Sequence, residues 1–111
     1  MVYEGLQGML GLAFRAGQLV PGLELSLKLI KDNRAGIALL DPDASTNTQK
    51  KMRDACNHYH IQVILLKAGM LGNACGRPGM AAGAVKPGGF AEQIICKAQE
   101  TDHEELTQTK Q

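Results

Sequence analysis

The sequence predicts an α/β protein of the three-layer α/β/α kind, a small mixed sheet of about four strands with helices on both faces. Three observations carry this. Segments of helical periodicity alternate with short apolar runs almost from end to end. The runs at 36–40, 61–66 and 80–85 are too short for buried helices and are bounded by turn-forming residues. The chain has 111 residues, 44% of them apolar, which is room for one core and not for two.

Residues 4–16 read as a helix, because Leu6, Leu10, Ala13 and Phe14 recur on one face. Gly17 is its C-cap, a residue that takes positive φ without penalty. Leu19–Val20 is a candidate for a very short strand. Residues 22–32 read as a second helix with Pro21 at its entrance. Leu23, Leu27 and Ile30 form its apolar stripe, and Leu25 and Leu29 widen it. Glu24 and Lys28 are four apart, in the favourable order for an ion pair on the exposed side.

GIALL at 36–40 reads as a buried strand. Asp41 and Asp43 flank Pro42 at its end, where acids serve turns and helix caps. Ser45 is the first choice for the N-cap of the third helix, whose inner face holds Thr48, Met52, Ala55, Cys56 and Tyr59. Residues 61–66 form the next strand, 71–75 a short helix ending at Gly76, and 80–85 a strand rich in small residues. Ala38, Leu40, Val63, Leu65 and Ala82 are expected near the sheet core. Residues 90–97 are the last helix. Residues 99–111 hold four acids and one leucine and read as a polar acidic tail, a frayed helix end or disordered, after a domain at 1–98. Without that tail the formal charge rises from +1 to +4, because 1–98 carry 11 basic and 7 acidic residues.

Several functions fall away. Cys56, Cys75 and Cys96 form no CxxC pair and read as small buried hydrophobes, free of disulfide and metal. His58 and His60 lie two apart and point to different sides, so with Cys56 they make no convincing metal set. Neither GxxxxGK[ST], GxGxxG nor GxSxG occurs, so no cofactor and no catalysis are expected. No run is long enough to span a membrane, and the first residues carry an acid where a signal peptide is basic, which points to the cytoplasm. Nucleic-acid binding has positive support: Arg15, Lys28, Lys31 and Arg34 surround the first two helices, and the start of the second can present backbone N–H groups to phosphate.

The stretch Met9–Leu10–Gly11–Leu12–Ala13–Phe14–Arg15–Ala16–Gly17–Gln18–Leu19–Val20–Pro21–Gly22, running on to Ile30, resembles the bacterial L7Ae/L30e-like ribosomal proteins, in their YlxQ-type branch. The resemblance continues through Ile37–Asp41, Asp43–Ser45, Asn47–Thr48, Cys56–Tyr59, Leu71–Gly76, Ala84–Val85 and Gly89–Ala91, and so covers about 6–98. It implies a compact α/β/α sandwich that binds RNA; better-known members recognise kink-turns, internal loops that bend a duplex sharply. Their signature is a glycine, one residue, Asn-Glu, two residues and a lysine.

Gly22 and Lys28 match that signature, whereas Glu24 stands at the Asn position and Leu25 at the Glu position. Asn donates and accepts; ionised Glu only accepts, and Leu does neither. The YlxQ-type branch commonly has Glu and Leu here. Gln18 replaces a frequent lysine. A second RNA-contact loop of the family corresponds to Arg77, Pro78, Gly79 and Met80, and the resemblance implies that Arg77 is placed to contact phosphate and that Pro78–Gly79 allow close approach of a splayed base.

The resemblance and the charge pattern together make Arg15, Gly22, Glu24, Lys28, Lys31, Arg77, Pro78 and Gly79 the candidate RNA-binding residues. The expected function is binding of structured RNA, ribosomal RNA included, in a ribosomal or translation-associated setting, with neither DNA nor membrane as partner. The alternative is a non-catalytic protein–protein adaptor on the same scaffold. It calls for an exposed apolar patch without a basic rim.

Overall fold

A computed structural model describes residues 2–109, with side chains for 5–99. The elements run α1 (Val2–Arg15), β1 (Leu19–Pro21), α2 (Leu23–Lys31), β2 (Ile37–Leu40), α3 (Thr46–Tyr59), β3 (Gln62–Leu65), α4 (Met70–Cys75), β4 (Ala82–Val85) and α5 (Gly89–Thr109). α5 continues past Lys97, where the apolar periodicity ends.

The strands form one mixed sheet in the order β1-β4-β2-β3. β2 and β3 are parallel, whereas β4 is antiparallel to both its neighbours. All four residues of β2 and all four of β4 are buried. Such unbroken burial means that both faces are covered, which is why IALL and AGAV show no polar alternation.

On one face α1, α4 and α5 close over Ile37, Leu39, Ile64 and Val85 with Leu6, Leu10, Leu71 and Ile94. On the other, α2 and α3 cover Ala38, Leu40, Ala82 and Ala84 with Ile30, Met52 and Cys56. The expected sandwich is therefore the observed one.

Local signals behave as their chemistry requires. Gly17 closes α1, and the next N–H, of Gln18, returns to Ala13 O at 2.9 Å. Ser45 caps α3, its hydroxyl accepting from Thr48 N at 3.1 Å. The short strand at Leu19 is real and gains Pro21, which sits on a sheet edge where a missing N–H is tolerated.

Four expectations need correction. Leu65 is 51% exposed, because β3 is the other edge strand, whereas Val63 is half-buried and packs against the core as expected. Leu25 is 56% exposed; the position it was expected to share with the stripe belongs to Ser26, which is fully buried. Lys28 Nζ lies 3.7 Å from Asp32 Oδ2, so its partner on the helix is Asp32 and not Glu24. Cys96 is exposed, while Cys56 and Cys75 are buried.

The two buried thiols are held neutral. Burial pushes Cys56 from 9.0 up to about 11, against the pull of Arg53, and raises Cys75 against the pull of Arg77. The unfolded chain therefore loses the Cys56 proton first. The stability that this thiol contributes is complete below 9.0 and is lost as pH rises through about 11. Brief alkylation of native protein at about pH 8 is expected to label Cys96 and spare Cys56 and Cys75, read by peptide mass mapping. Equal labelling of all three contradicts the packing described.

Candidate nucleic-acid interface

The antiparallel pairing of β1 with β4 builds the candidate surface. Pro21 stands opposite Gly83, and one residue further Gly22 N donates to Ala82 O at 2.8 Å. The chain enters β4 from the 77–80 loop and leaves β1 into α2. Antiparallel pairing therefore sets the start of α2 beside the end of that loop.

Gly22 has φ 100 and ψ 147, a region that L side chains rarely adopt. It caps α2 without a side chain, so no side-chain acceptor covers the first-turn N–H groups. Ser26 and Ile30 turn inward, with the Ser26 hydroxyl donating to Val20 O at 3.4 Å. At helical spacing that rotation sends Glu24 and Lys28 to the opposite side and leaves Leu25 exposed beside them. The buried serine carries no signal in a run of leucines, and the sequence reading missed it.

The Lys28–Asp32 contact joins side chains that are 75% and 45% exposed. A pair of this kind contributes about 0.3–0.5 kcal/mol, so the ammonium is easily redirected to a stronger anion. Lys28 lies about 9 Å and Lys31 about 13 Å along the helix from Gly22. Lys31, in the last turn, is thus carried away from the 77–80 loop.

The loop is tightly made. Arg77 N donates to Gly72 O at 2.9 Å, and Met80 N returns to Arg77 O at 3.1 Å. The Arg77 guanidinium lies over the Phe14 ring, 5.6 Å from its centroid. Arg15, in the last turn of α1, folds back beside Gly11, which is packed against Ala74 O. The structure therefore forms two groupings. Gly22 is joined to the strand fed by the loop, and both arginines flank the α1–α4 junction. Glu24 and Lys28 lie on the exposed side of α2.

Pro78 and Gly79 wall a cleft of about 350 Å³ whose opposite side includes Asp41, Asp43, Gly69 and Asn73. Asp41 is 3% exposed. Its Oδ1 accepts from Asp43 N at 2.7 Å and its Oδ2 from Gly69 N at 2.8 Å. The turn role was readable from the sequence; the tie to Gly69, 28 residues away, was not. Carboxylates only accept, so this wall suits hydrogen-bond donors and disfavours phosphate. A separate apolar concavity, about 620 Å³, lies between α1 and α5 at Met9, Leu12 and Phe90, near the other end of β4.

A family model described as the ribosomal protein L7Ae/L30e/S12e/Gadd45 family matches residues 4–95. Over 88 residues the chain is 40% identical to the RNA-binding protein YlxQ of Bacillus subtilis (strain 168), covering 78% of this chain and 88% of that one. Over 86 residues it is 35% identical to the RNA-binding protein YlxQ of Enterococcus faecium, covering 77% and 82%. A solved protein of unknown function from Bacillus halodurans superposes with a TM-score of 0.79 at 33% identity, covering 85% of this chain and 96% of that one. The 15.5kD RNA binding protein of Giardia lamblia shares the fold, with a TM-score of 0.71 at 13% identity, covering 92% and 88%.

A Cβ added at Gly22 meets nothing within 4 Å, so the cost of Gly22→Ala is backbone strain alone. The substitution is expected to lower the unfolding free energy by about 1–3 kcal/mol in urea titration. An unchanged midpoint contradicts the conformation described.

Proposed function

The chain belongs to the ribosomal protein L7Ae/L30e/S12e/Gadd45 family, and from that premise we propose that it is a non-catalytic RNA-binding protein. Its RNA surface is the start of α2 together with the 77–80 loop. The observation that carries this reading is the Gly22–Ala82 hydrogen bond, which joins the start of α2 to the strand that the loop feeds. The names of the two YlxQ relatives support RNA as the ligand.

In this reading the uncapped first turn of α2 faces a phosphate, and Lys28 neutralises another about 9 Å along. Arg77 adds a planar donor set that lysine does not reproduce. Glu24 turns toward a base edge, because a carboxylate beside phosphate is repelled. Leu25, which has no polar group, offers only apolar contact. Pro78 and Gly79 allow a splayed base near the cleft, whose acidic wall accepts from base N–H groups. Arg15 adds charge from the flank, and Lys31 contributes to the field without touching the same segment.

The RNA is structured, a kink-turn or related internal loop, in a ribosomal or translation-associated complex of the cytoplasm. The same residues set the test. Lys28→Ala and Arg77→Ala are each expected to weaken binding of a kink-turn hairpin without unfolding the domain. Each should also reduce the slope of log affinity against log salt by about 0.7–0.9. Equal affinity and equal slope for wild type and the double variant, on both kink-turn and plain duplex RNA, sink the assignment. A kink-turn preference over the duplex that is lost with Lys28 and Arg77 supports the finer reading; equal affinity for both RNAs removes it.

A further inference from the structure

Arg77 is held from two directions before any ligand arrives. Its backbone is fixed from α4: the N–H bonds Gly72 O, and a Cβ added at Gly72 stands 2.9 Å from Arg77 O. Gly72 is therefore the residue type that this close approach requires. Its side chain is fixed from α1, with the guanidinium over the face of Phe14 at 5.6 Å. Phe14 is itself half-buried and packed against the cluster that contains Leu10, Leu71 and Cys75, so the ring is a firm platform.

A free arginine side chain loses much rotamer freedom on ordering. One already seated on a ring loses less when it meets a phosphate, and its planar edge keeps all its donors. We propose that Phe14 is a positioning residue for RNA binding, acting through Arg77 by holding the guanidinium in its ligand-ready orientation. This rests on the reading of Arg77 as an RNA contact. It also gives Phe14, on α1, a part in the interface without contact to RNA.

The test is a double-mutant cycle on a fluorescein-labelled kink-turn hairpin, using the full chain. Phe14→Leu removes the π face while keeping an apolar side chain of similar reach; Phe14→Tyr keeps the face. The expected result is a loss of about two- to fivefold in affinity for Phe14→Leu, the scale of an exposed cation–π contact, and wild-type affinity for Phe14→Tyr. The salt slope stays unchanged in both, because the charge remains, and falls in Arg77→Ala. In the Arg77→Ala background Phe14→Leu then costs nothing further.

An equal cost of Phe14→Leu with and without Arg77 overturns the proposal, as does no cost at all. Should Arg77→Ala alone leave binding unchanged, the assignment of Arg77 to the RNA surface fails first, and this inference falls with it. A second measurement is independent of how well Phe14→Leu folds. In free wild-type protein the Arg77 side-chain N–H resonances are expected at upfield, ring-shifted positions. Positions typical of solvated arginine overturn the proposal.

Discussion

β4 is covered on both faces and paired on both edges, and that confinement decides much of the rest. In that confined position β4 carries small residues, Ala82, Gly83 and Ala84, beside the bulkier Ile37, Leu39 and Leu40 of β2. A Cβ at Gly83 already stands 3.4 Å from Val20 O. Because β4 is antiparallel to β1, the loop that enters it and the helix that follows β1 come to the same end of the sheet. The candidate surface is a consequence of the packing of the core, before any surface side chain is considered.

Onto that backbone the sequence places chemistry of two kinds. The outer side of α2 and the α1–α4 junction carry cations, Lys28 paired with Asp32 and Arg77 stacked on Phe14. The cleft beside Pro78 and Gly79 carries acids, of which Asp41 is spent on tying the turn after β2 to Gly69. Phosphate and base edge ask for opposite partners, and the two kinds of group lie on adjoining elements. On the proposed reading Glu24, at the start of α2, still offers an acceptor to a base edge, while Leu25 beside it offers none.

What the sequence made legible follows from the range of the forces involved. Ser45 capping α3, Gly17 ending α1 and the double-sided burial of β2 are local or nearly local, and each was readable from a few residues. Leu65, Leu25 and Cys96 were misplaced because exposure depends on what packs alongside. An edge strand and a central strand of the same composition look alike, and five large aliphatic residues among the nine of α2 leave its rotation undetermined. Ser26 and Ile30, both fully buried, mark the inward side of that rotation, and the Ser26 hydroxyl donates to Val20 O. For the candidate site, Lys28 and the start of α2 were readable from charge and helix geometry, whereas Gly22 and the 77–80 loop were readable only through the family resemblance. The Asp41–Gly69 tie and the Phe14–Arg77 stack join residues 28 and 63 apart, and no periodicity reports such pairs.

On the proposed reading, RNA meets this protein where the start of α2 adjoins the entrance to β4. The most direct measurement is amide chemical-shift mapping of the isotopically labelled chain on addition of a kink-turn hairpin, with a plain duplex as control. The largest changes are expected to cluster at 22–28 and 77–82, while the amides around Met9, Leu12 and Phe90 in the α1–α5 concavity stay in place. Changes confined to that concavity, with 22–28 and 77–82 unmoved, contradict it.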